Sequence, residues 1–259
     1  MIIKIVSLKK ATVRRKYIFQ KFLNLRLPYD FIDAIDPSSC SKEILKNFCS
    51  NKFELLYGRL PTLSEVGASI SHDLARKKFL KEGDKKTLLV LEDDAKIMCT
   101  KEELLSVVKI FEQSKFDIFI LGFSKCDDEF EKHTNIINPV LTIYNVMKKI
   151  SIGPRYLHTT SGSVGYLVNK RSAKIMSDIS PVSALSDDWD YFSKLGLKIA
   201  YTNPMIVREN FTKLNSTAEH DNQSQVSYKD HRTWINILVF CRKHTYGLFR
   251  KTILYLNNL

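Results

Sequence analysis

The chain has 259 residues, 44% of them hydrophobic and 26% charged, with nine Gly and seven Pro. That is enough chain to bury a core in one large domain, and it excludes a wholly disordered, collagenous or low-complexity protein. Forty Lys and Arg against 28 Asp and Glu leave a net charge of +12, which points to anionic partners: nucleic acid, phosphorylated small molecules or an anionic membrane.

Ile2 to Val6 is β-branched and predicts a strand. Lys9 to Leu25 predicts a basic helix burying Ile18, Phe19, Phe22, Leu23 and Leu25. Tyr29 to Ala34 predicts a second strand, so the chain opens β-α-β, as α/β domains do. Residues 36–62 read as irregular, punctuated by Pro37, Gly58 and Pro61. Thr62 to Glu65 carries a helix-start signature, and that helix runs to about Lys81. Thr87 to Leu91 is an apolar run expected to be a strand buried on both faces. A helix over 102–112 and a buried strand over 116–122 follow, and 124–156 reads as a long loop or insertion. A strand at 164–168, a helix at 170–179 and a strand at 197–201 complete the regular elements, with 208–230 loop-like. From His231 to Leu259 there are five Lys/Arg and no acid, among Trp234, Leu238, Leu248 and Leu256. This stretch reads equally as a basic amphipathic extension for an anionic membrane surface or as a packed terminal helix. The domain expectation is therefore 1–225 as one α/β domain and 226–259 as the extension.

No apolar run approaches the ~18–20 residues of a membrane span. The five cysteines form no C-x-x-C pair, which predicts reduced thiols in a cytoplasm rather than a disulfide or zinc framework. Among the familiar catalytic signatures, H-E-x-x-H, G-x-S-x-G, the P-loop and G-x-G-x-x-G are all missing.

Chemistry concentrates in two acidic clusters. Glu92, Asp93 and Asp94 follow the buried strand directly, where open α/β sheets bind ligands. Oxygen donors suit Mg²⁺ or Mn²⁺, and continued strand alternation would let Glu92 and Asp94 share one ion. The plainer alternative is a solvated acidic turn. Asp187, Asp188 and Asp190 surround Trp189. A carboxylate beside an aromatic ring suits a general base facing a sugar; an Asp N-cap on a short helix fits the same residues. His72 and His220 are metal or phosphate candidates, or simply satisfied polar groups. Two such carboxylate clusters count against a nucleic-acid-binding module.

In order, these segments resemble glycosyltransferase family 25, the lipopolysaccharide and lipooligosaccharide glycosyltransferases. The resemblance rests on Ile5 to Lys9 with Arg14-Arg15, Phe31 to Asp36, Leu63 to His72, Leu89 to Ala95, Phe116 to Gly122, Ser161 to Val168, Asp188-Trp189, and Pro204 with Ser216-Thr217. It departs at Ser64 and Ala68, where the family block has Gly and Cys, and at Ser186-Asp187, which replaces Pro-Val. It implies a GT-A type fold, a mixed central sheet with flanking helices, and inverting transfer of a hexose from a UDP-sugar, most often galactose. By this resemblance Glu92, Asp93 and Asp94 form a DxD-type site for Mn²⁺ or Mg²⁺, with Glu92 and Asp94 on the metal. Val6, Ser7, Arg14, His72 and Asp93 lie by the nucleotide, and Asp188 is the base. The implied partners are a UDP-sugar, a lipid-linked oligosaccharide acceptor and the anionic inner leaflet, with the protein cytoplasmic and peripheral.

Overall fold

The structure, a computed structural model, describes residues 1–124, 128–158 and 162–210. Its centre is an eight-stranded mixed sheet in the order β2-β1-β3-β8-β5-β9-β7-β6. The strands are β1 (Ile2–Ser7), β2 (Asp30–Asp33), β3 (Thr87–Glu92), β5 (Ile118–Gly122), β6 (Tyr144–Val146), β7 (Ile150–Gly153), β8 (Gly165–Asn169) and β9 (Ile199–Asn203). β4 (Ala95–Ile97) and β10 (Val207–Glu209) pair separately and antiparallel. β1 runs parallel to both β2 and β3, whereas β8 lies antiparallel between β3 and β5.

Each central strand is buried on both faces, which is why the sequence reads as continuous apolar runs rather than alternation. Leu89 and Leu91 face one layer, built by α1 (Thr12–Leu25) and α5 (Lys101–Gln113) through Ile18, Phe22, Leu104, Val107 and Phe111. Leu88 and Val90 face the other, built by α4 (Leu63–Lys81), α7 (Lys170–Ser177) and α8 (Trp189–Lys194) through Phe79, Met176, Trp189 and Phe192. α4 begins with the capping box that the sequence announced: Thr62 Oγ1 accepts from Glu65 N–H, and Glu65 Oε2 accepts from Thr62 N–H. This is the mixed central sheet with flanking helices expected of a GT-A type fold.

Several expectations needed correction. Residues 36–62 contain α2 (Lys42–Leu45) and α3 (Ser50–Tyr57), the second docked on α4 through Phe53 against Val66 and Ile70. The stretch 124–156 is not a long loop. It holds α6 (Asp128–Ile137) and the hairpin β6–β7. Met147 and Lys148 make its turn at φ 49° and 59°, so the Gly or Asn that normally signals a left-handed turn is missing from the sequence. In α1, Phe19 and Leu23 are 56% and 64% exposed rather than buried, since only the Ile18–Phe22 side meets the sheet. The expected boundary at 225, the 226–259 extension and His220 lie outside the described residues.

Candidate active site

The parallel pairing of β1 with β3 sets Val6 opposite Glu92, so Ser7 and the acidic triplet emerge together at the C-terminal ends of two adjacent central strands. Strand geometry ends at Glu92; Asp93 and Asp94 form the turn into β4. Alternation therefore does not carry through the triplet, and its carboxylates meet different partners.

Asp93 and Asp94 face α1. Ser7 Oγ donates to Asp93 Oδ2 (2.7 Å). Arg14 Nη1 donates to Asp93 Oδ1 (2.8 Å) and Asp94 Oδ2 (3.1 Å). Among the described residues, Asp94 Oδ1 is buried with no hydrogen-bond partner. Burial first, and then the charge of Glu92, push the Asp94 carboxyl up to about 7 against the pull of Arg14. Val6 is buried in the layer that α4 covers, and sits under the site as packing.

Glu92 turns the other way. Its Oε1 accepts from Ser163 Oγ (2.5 Å) and stands 3.7 Å from His72 Nε2. His72 is buried in α4, its Nδ1 2.9 Å from the Tyr166 hydroxyl. Burial opposes ionisation of Glu92, but His72, Ser163 and Arg14 outweigh it and hold the carboxyl below its usual range. His72 thus stands behind Glu92 rather than at the surface of the site.

Glu92 also lines a cleft of about 660 Å³ between the α3–α4 corner and the turn at 185–189, where Asp187, Asp188 and Tyr57 also lie. Asp188 caps α8: its Oδ1 accepts from Tyr191 N–H (2.9 Å). Its Oδ2 accepts from the Tyr57 hydroxyl (2.7 Å), which in turn accepts from Leu185 N–H (3.1 Å). Burial and the Asp188 carboxylate push the Tyr57 phenol far above its ordinary value, so it stays a donor. Asp187 Oδ2 accepts from Gly162 N–H (2.6 Å), while burial pushes its carboxyl upward.

The structure therefore gathers Ser7, Arg14, Asp93 and Asp94 into one cluster, and Glu92, His72 and Asp188 around the adjoining cleft. Tyr57 and Ser163 belong to the cleft and were not picked out from sequence, whereas Asp187 was named there only as a member of the second acidic cluster. Ser163 and Asp187 stood within conspicuous blocks, but Tyr57 lies in the stretch that read as irregular and carried no signal.

The donor set suits a hard cation in a specific way. Among the described residues no three His, Cys, Asp or Glu side chains cluster closely enough to cage a metal alone. Asp94 nonetheless offers a buried oxygen with nothing bonded to it. Mg²⁺-type ions are commonly held by one or two carboxylates, with substrate phosphates completing the shell. Asp94 fits that mode, and Glu92 is the carboxylate whose charge acts most on it.

The chain has recognisable relatives. It is 25% identical over 254 residues to the lipooligosaccharide biosynthesis protein lic2B of Haemophilus influenzae, covering 91% of this chain and 88% of that one. Among solved structures, it resembles A197 from STIV at 12% identity and TM-score 0.41, over 77% of this chain and 80% of that chain. A glycosyltransferase involved in glycosylation of the major capsid of PBCV-1 gives 10% identity and TM-score 0.41, over 85% and 98%. The profile of glycosyltransferase family 25 (LPS biosynthesis protein) matches residues 1–192. That span holds the acidic triplet at the end of β3, Arg14, and the whole cleft lining, and the chain belongs to glycosyltransferase family 25.

Proposed function

We propose that the protein transfers a hexose, galactose or glucose, from a UDP-sugar to a lipopolysaccharide or lipooligosaccharide acceptor with inversion at the anomeric carbon. The observation that supports this most is the shared end of the adjacent strands β1 and β3. It sets a carboxylate cluster with a free, buried oxygen beside a cleft walled by further carboxylates and hydroxyls. In the reaction, the bond from the acceptor oxygen to the anomeric carbon forms as the bond from that carbon to the diphosphate breaks. The acceptor proton passes to a carboxylate of the cleft, for which Asp188 is our assignment. A bound Mn²⁺ or Mg²⁺ supplies charge neutralisation of the leaving diphosphate. Asp94 would hold that ion through its unpaired oxygen, and Glu92, whose Oε1 is taken by Ser163, would join it only through its other oxygen. Arg14 keeps Asp93 and Asp94 fixed, and Ser7 with the ends of β1 and α1 borders the nucleotide.

The test is nucleotide release from a panel of UDP-, GDP- and CMP-sugars with Mn²⁺, Mg²⁺ or EDTA. Release of UDP from one sugar, abolished by EDTA and cut at least about 100-fold in Asp94→Ala, is expected. Calorimetry adds a second readout: UDP binding with Mn²⁺ should weaken in the same variant. Absence of both UDP release and UDP binding would overturn the assignment.

The acceptor class also bears on location. Among the described residues no helix is long and apolar enough to cross a membrane. Attachment at an anionic inner leaflet through the basic 231–259 stretch is part of the proposal, at ~1 kcal/mol per basic residue near the surface.

A further inference from the structure

The cleft has a chemistry that goes beyond a generic transferase site. Two of its lining residues, Trp189 and Ser69, are 0% and 1% exposed, and each holds a buried polar atom without a partner among the described residues: the indole Nε1 and the hydroxyl Oγ. Native proteins rarely leave such atoms unpaired, because each costs about 1–3 kcal/mol. Ordered water, or a polyhydroxylated ligand in its place, supplies partners of the kind such atoms need.

The same wall is acidic. Glu65, Glu92, Asp187 and Asp188 all line it. Two of these, Glu65 and Asp188, have both oxygens engaged, and Glu92 has one. Glu65 is forked by Arg59 (2.6 and 2.9 Å), Glu92 accepts from Ser163, and Asp188 accepts from Tyr57 and Tyr191. Asp187 also has only one taken, Oδ2, by Gly162 N–H, and no other described residue donates to Oδ1. A cavity of about 660 Å³ falls in the range of ligand pockets, and one or two sugar residues fit it.

We infer that this cleft is the acceptor subsite and that Asp187 selects the acceptor's terminal sugar. Its Oδ1 accepts a hydrogen bond from a hydroxyl or an ammonium group of that sugar. Its charge, beside Glu92 and Asp188, turns away sugars bearing a carboxylate or a phosphate. The inference rests on the transferase reading above and narrows it to neutral and amino sugars.

Saturation-transfer NMR on the full chain, with UDP and diamagnetic Mg²⁺ present, tests this without requiring turnover. The probes are methyl galactoside, its 2-amino-2-deoxy analogue and methyl galacturonoside. Wild type should bind the first two at least about tenfold more tightly than the acid, a like-charge penalty of the usual size. Asp187→Asn keeps an oxygen for Gly162 N–H and removes the charge. It should narrow the gap to within about threefold and weaken the amino sugar, while UDP binding by calorimetry stays unchanged. Equal binding of the neutral and acidic glycosides by wild type would overturn the inference, as would an unchanged ratio in Asp187→Asn. UDP binding with no glycoside binding would overturn the subsite and leave the transferase reading standing. No binding of UDP either would overturn both. The wild-type comparison stands by itself if the variant folds poorly.

Discussion

Asp188 has two roles that substitution can separate. Its Oδ1 caps α8 and its Oδ2 holds the Tyr57 hydroxyl, while the proposed reaction asks it to take a proton. Asn caps a helix about as well as Asp, so Asp188→Asn should leave stability within about 0.5 kcal/mol of wild type. Transfer should nevertheless fall about 10²- to 10⁴-fold, the usual worth of a general base. Asp188→Ala should lose both, with the cap costing ~1 kcal/mol in a denaturant titration. If Asp188→Asn retains transfer, the residue is a cap and the base lies elsewhere in the cleft. Residue-level legibility was uneven for a clear reason. The triplet at 92–94 and the pair at 187–188 are contiguous charge after apolar sequence, and so stand out. Tyr57 reaches Asp188 across 131 positions, and no local pattern encodes that contact.

At the scale of elements, α4 carries Ser69 and His72 to the site, and its placement depends on a close approach at Gly67. A Cβ there would lie 2.7 Å from the Ile35 carbonyl oxygen and 2.9 Å from the Pro37 ring. Ala is normally the better helix former by about 1 kcal/mol. At this position the clash with backbone should reverse the sign, and Gly67→Ala should destabilise by about 1–3 kcal/mol in chemical denaturation. Transfer should fall as well, because moving α4 moves His72 away from Glu92. Equal or greater stability of the variant would show that the β2–α2 segment yields easily. The start of α4 was legible because a capping box is written within four residues. The β6–β7 hairpin was not, because its turn uses Met147 and Lys148 at positive φ and its short strands are stabilised by the sheet edge they join. α3 escaped notice for a related reason: with only Phe53 fully buried, it has too few core positions to show a period.

For the whole molecule, the +12 charge predicts salt-sensitive association with anionic surfaces. The full chain should sediment with vesicles containing anionic lipid at low salt. Near 1 M salt, where the screening length is about 3 Å, it should be released. Removing residues 231–259 should shift binding strongly; unchanged sedimentation would remove that stretch from any membrane role. By itself, the sequence determined the β-α-β opening, the buried β3, β5 and β8, the capped α4 and the acidic triplet at a strand end. These are local features, written as apolar runs, caps and contiguous charge, and they suffice to indicate the family. Only the tertiary structure decided that Arg14 bridges Asp93 and Asp94, that Glu92 turns from them toward Ser163 and His72, and that Tyr57 and Asp187 share its cleft. Those contacts join residues separated by tens of positions, and the register of β1 on β3 and the docking of α3 and α4 bring them together.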